Sequence, residues 1–144
     1  MLVIIVVAIL AAVAYPSFLD SIRKSRRSEA FAALAQVQQL EERHRSQHPS
    51  YTTLLTAATT ADPPGLGMAA SRTSNGYYDL AVTLVTATTT YVATATAVST
   101  TSQASDANCS VLAVRVQGGN VRYGAGSSID WSTTNTDPNR CWAR

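Results

Sequence analysis

Charge is scarce in this chain. Lys, Arg, Asp and Glu make up 14% of its 144 residues and leave a formal net charge of +2. That balance argues against an obligate nucleic-acid binder, although a pI near 8.7 permits local contact with anions. Aromatic residues, at 7%, are too sparse to support an electron-conducting stack. Cysteine occurs twice, as Cys109 and Cys141, with no CxxC and no histidine at a ligand spacing beside either. This excludes the usual cysteine metal and redox motifs. There is no GxSxG, no phosphate-binding glycine loop and no metalloenzyme histidine motif, so neither catalysis nor a cofactor is expected. His44 and His48 stand four apart, which suits a surface zinc pair, but Pro49 ends the helix at once and solvated histidines are expected instead.

What the chain does have is an unbroken apolar opening, MLVIIVVAILAAVAYP. It is just short of the ~20 residues that cross a bilayer core as a straight helix. A cleaved secretory signal would open with basic residues, whereas here Arg23, Lys24, Arg26 and Arg27 follow the run, so a retained helix is favoured. The helix is expected to continue to about His48 and to kink at Pro16, which removes a hydrogen bond and clashes with the preceding turn. Ala8, Ala11, Ala12 and Ala14 would let neighbouring helices approach closely. Beyond Pro16, Ile22, Phe31, Leu34, Val37 and Leu40 fall at helical spacing and predict a face packed on a globular domain. The apolar helix aside, the length leaves about one small domain.

Residues 49–76 read as a long surface loop punctuated by Pro63-Pro64-Gly65, Gly67 and Asn75-Gly76, with a short helix at Tyr51 to Ala58. Strand patterns follow at 77–85, 89–98, 110–117 and 120–123, the last two joined by a two-residue Gly118-Gly119 turn. Helix, loop and four-strand meander give an α+β fold with the helix covering one face of an antiparallel sheet. The remainder, 124–144, shows little periodicity. The Thr-rich strands (Thr83, Thr86, Thr88, Thr94, Thr96) suit an uncharged outer face, for which β-propensity is a sufficient explanation.

The stretch AILAAVAYPSFLDSIRKSRRSEAFAALAQVQQLEERHRSQHPSYTTL, with the cysteine pair closing at Cys141-Trp142, resembles the long N-terminal helix and C-terminal loop of type IVa pilins. The resemblance implies the pilin fold and a structural subunit of a pilus, a homopolymer built through the helix. It implies storage in the inner membrane with a periplasmic domain, a prepilin peptidase and an assembly machinery as partners, and a final place on the cell-surface filament. Adhesion, twitching motility and DNA uptake are the functions the family serves. Mature members begin a short stretch further upstream with an N-methylated Phe and a nearby glutamate, so residues preceding Met1 are expected. The first reading is the repeating subunit of the filament; the alternatives are a minor pilin or secretion pseudopilin, and a DNA-binding or adhesive pilin using Arg72, Arg115 and Arg122.

On this reading residues 1–28 form the apolar membrane and filament-core half, with Ile4, Val7, Ala8, Leu10, Ala11 and Ala14 as core contacts. Residues 29–144 form the globular pilin domain. A single Cys109–Cys141 disulfide in an oxidising compartment is expected, with buried free thiols as the alternative. The cluster Arg23, Lys24, Arg26 and Arg27 serves as an orientation signal, a headgroup contact or a partner for acidic residues of another subunit, against a plain solvated face. The glycine turn makes Arg115 oppose Arg122 on the outer sheet face, where like charges destabilise. A carboxylate is therefore expected beside them, Asp130 or Asp137 from the chain's own loop, or one from a neighbouring subunit.

Overall fold

The computed structural model describes residues 2–143, with side chains from Phe18 onward. One helix, α1 (Leu2–Gln47), precedes a single antiparallel sheet of β1 (Tyr78–Thr86), β2 (Thr90–Ala97), β3 (Val111–Gln117) and β4 (Asn120–Ala125), in the spatial order β1-β2-β3-β4. Two short 3-10 turns, Ser102–Ser105 and Ala107–Cys109, lie between β2 and β3. The expected α+β pilin architecture is what the chain adopts. Among the described residues no helix is long and apolar enough to cross a membrane. The kink expected at Pro16 and the core contacts expected of Ile4, Val7, Ala8, Leu10, Ala11 and Ala14 fall outside the described side chains.

Helix α1 ends where Pro49 denies it a donor, and its last turn is closed by the His48 amide on the His44 carbonyl and by Arg45 reaching the His48 carbonyl. Its buried axis runs Ala30, Leu34, Val37, Glu41, His44, the spacing of one helical stripe. Leu34 and Val37 are the expected core residues, flanked by half-buried Ile22, Phe31 and Leu40. Against them pack the inward residues of the sheet: Tyr78, Leu80 and Val82 of β1, Tyr91, Ala93 and Ala95 of β2, and Leu112, Val114 and Val116 of β3. Alternation of period two along the strands selects that set.

The short helix expected at Tyr51 to Ala58 does not form. Carbonyls of Leu54, Leu55, Ala57 and Ala58 accept instead from the amides of Leu66, Met68, Gly67 and Gly65 across the loop. Those groups are satisfied by a returning strand of chain, so no helical i to i+4 ladder is needed. The loop contributes Tyr51, Leu55 and Leu66 to the core.

Candidate nucleic-acid interface

The β3–β4 hairpin turns on Gly118 (φ 54°) and Gly119 (φ 85°), the paired positive dihedrals of a two-residue type I′ turn. Register follows from that turn: Gln117 pairs with Asn120, Val116 with Val121 and Arg115 with Arg122. Val114 and Val116 point to the helix, which leaves the two arginines side by side on the outer face.

No carboxylate neutralises them among the described residues, contrary to the expectation for Asp130 or Asp137. Arg122 donates to the Trp131 carbonyl at 2.7 Å and to the Thr133 carbonyl, while both guanidinium groups stand 5.9 Å from the centre of the Trp131 ring. Carbonyl dipoles and the indole π-face thus absorb part of the repulsion without removing the charge. Asp130 is occupied by the hydroxyl and amide of Ser132, which lower its pKa. Asp137 accepts the amides of Cys141 (2.8 Å) and Trp142 (3.0 Å) and so pins the C-terminal turn. Each acid caps its own local backbone, a common use of Asp in loops.

The C-terminal segment reaches both faces of β4. On the outer face, Gly124 lets it approach closely: a Cβ there would lie 2.7 Å from Ile129 Cγ2 and 3.0 Å from Trp131 Cη2. On the helix side, the Trp142 indole donates to the Gly124 carbonyl at 2.9 Å and packs on Phe31 and Tyr123, with ring centres 4.6 and 4.8 Å away. The expected Cys109–Cys141 disulfide is formed and ties this segment to the chain just before β3.

The other cations are placed differently. Arg72 is clamped by both oxygens of Asp79 (2.6 and 3.1 Å), which lowers the Asp79 pKa, and it lies by β1, at the opposite edge of the sheet from Arg122. It is therefore spent and does not join Arg115 and Arg122. On α1, Arg27 forms a two-point pair with buried Asp106 (2.8 and 2.9 Å), Arg23 pairs with Asp20, and Arg26 donates to Ser102 while lying 4.2 Å over the Tyr77 ring. A division of the chain at residue 28 would separate Arg26 and Arg27 from these partners.

The histidines are not both solvated as expected. His44 is buried with Nδ1 at 3.1 Å from the Ser50 carbonyl, and His48 is half-buried against its ring. Among the described residues no cluster of three or more metal-ligating side chains exists. Beside His44, Glu41 is wholly buried, one oxygen bonded to the Thr52 amide and the other without a partner among the described residues, and burial pushes its carboxyl up to about 7.

Sequence reasoning found the arginine pair but missed Trp131, whose ring both guanidinium groups approach, since neither period nor motif marks a loop tryptophan. It also missed the Arg27–Asp106 pair, which joins residues 79 apart.

No curated protein matches the chain. The family described as type IV minor pilin ComP, DNA uptake sequence receptor, matches residues 16–113, so the hairpin turn, Trp131 and Cys141 lie beyond the matched stretch. Since that stretch is more than half of the chain and its fold is the pilin fold, the protein belongs to the ComP family of type IV minor pilins.

Proposed function

We propose that this chain is a minor subunit of a type IV pilus whose exposed domain binds DNA through phosphate contacts at Arg115 and Arg122. The observation that supports the reading is a pair of guanidinium groups held together across a tight hairpin, with no carboxylate beside them among the described residues. Guanidinium groups without a counter-charge favour phosphate oxygens; Arg122, whose two Nη groups each hold a loop carbonyl, would offer its remaining N–H bonds to the phosphate. The family description adds DNA uptake as the role of such a pilin. The apolar helix would store the subunit in the inner membrane and carry it into a filament with other pilins, where burial at ~25 cal/mol per Å² over many neighbours gives cohesion. The disulfide fits a domain that matures outside the cytoplasm.

The test is a salt titration of duplex DNA binding by the full chain in mild detergent, read by fluorescence anisotropy. Each phosphate contact contributes about 0.9 to the slope of log K against log salt. The Arg115→Gln/Arg122→Gln variant should lower that slope by about 2 and weaken binding to all sequences alike. An unchanged slope would contradict the proposal.

A further inference from the structure

We infer that the base of the domain holds the phosphate of an anionic phospholipid, seated by Arg23, Lys24 and Arg27. The inference rests on the reading of the chain as a pilin stored in a membrane. An open cleft of about 820 Å³ lies between α1 and the 3-10 turns, lined among others by Asp20, Arg23, Lys24, Arg27, Asp106 and Asn108. Three cations against two carboxylates leave one net positive charge there, which complements the single negative charge of a phosphodiester.

The two carboxylates do not close the cleft to an anion. Asp106 is engaged by two bonds from Arg27 and one from the Gln103 amide, so its charge is already paired. Asp20 is 76% exposed and touches Arg23 through one contact, a pair worth little in water and readily exchanged for a phosphate oxygen. Lys24 is exposed and also borders a second cleft of about 530 Å³ on the same turns of α1. Arg23 and Arg27 share one helix face, with Lys24 alongside.

Position along the helix selects a lipid over a free anion. Phe18, 63% exposed, and Leu19 continue the apolar run of the sequence to its end. At ~1.5 Å per residue, Arg23 and Lys24 stand about 6 to 7.5 Å beyond Leu19, the depth of a headgroup layer on one side of a bilayer core. The cations therefore lie at the level of phosphates when the apolar run lies in hydrocarbon.

The full chain reconstituted in vesicles of phosphatidylcholine, alone or mixed with phosphatidylglycerol, tests this. Flotation reads insertion, and native mass spectrometry of the released chain reads the retained lipid. Insertion into both vesicles is expected, with phosphatidylglycerol retained about tenfold over phosphatidylcholine, given the attraction per cation near an anionic surface. Arg23→Gln/Lys24→Gln, which spares the Arg27–Asp106 pair, should insert equally and lose the preference. An inserted parent chain without preference overturns the inference, as does a preference that survives in the variant. Displacement of the lipid by inorganic phosphate or by a duplex oligonucleotide at equal phosphate concentration also overturns it, in favour of a general phosphate site. A chain that floats with neither vesicle overturns the membrane reading itself, and this inference with it.

Discussion

Replacing Glu41 with Gln should raise stability at alkaline pH and leave it nearly unchanged at pH 4. Glu41 sits on the buried axis of α1, with no exposed surface, and its carboxyl is pushed from an ordinary 4.5 to about 7 by burial, opposed by the Thr52 amide and reinforced by Glu42. Below pH 4.5 the group is protonated in both the folded and the unfolded chain. Between 4.5 and 7 the folded chain keeps a proton that the unfolded chain has shed, so stability falls as pH rises and the loss is complete above 7. At about 1.4 kcal/mol per pH unit, the loss amounts to about 3 kcal/mol at pH 8. Gln keeps an oxygen for the Thr52 amide and carries no charge to bury. Denaturant unfolding of parent and variant in the same detergent, followed by circular dichroism from pH 4 to 9, should give curves that meet in acid and diverge by up to about 3 kcal/mol in base. Subtracting the variant cancels the other groups that titrate. Parallel curves across the range would refute the reasoning.

Arg27→Ala should cost about 3 kcal/mol or more, because it strands a buried Asp106, whereas Arg72→Ala should change stability little, because that pair is exposed to solvent; chemical denaturation compares them. Gly124→Ala should destabilise by about 1 to 3 kcal/mol and move Trp131, seen as a shift in its fluorescence, since Ile129 and the indole leave no room for a methyl group. Reducing the Cys109–Cys141 bond, which spans a separation of 32 residues, should cost about 3 to 4 kcal/mol and lower the Tm by several degrees or more, measured with and without reductant.

The helix, the four strands and the hairpin register were legible because each is written in a local period or a turn residue. Gly118-Gly119 alone predicts that Arg115 faces Arg122, and the pairing follows. The partner of those arginines was not legible. Charge complementarity points to Asp130 or Asp137, but both satisfy amides within five residues of themselves, and carbonyls of Trp131 and Thr133 take the place of an acid. The failed helix at Tyr51 to Ala58 has a similar cause, since hydrogen bonds to residues 65–68 outcompete a local propensity. Glu41 and His44 on the buried stripe break the apolar pattern, so a reading by hydropathy ends the core at Val37 and Leu40.

The central claim is that DNA meets this pilin domain at the outer face of the β3–β4 hairpin. Ultraviolet cross-linking of the full chain to duplex DNA, with the attached peptides identified by mass spectrometry, tests it most directly. The account predicts attachment within residues 111–133, Trp131 foremost, and loss of that attachment in Arg115→Gln/Arg122→Gln. Cross-links confined to the loop of residues 49–76, unchanged in the variant, would contradict it.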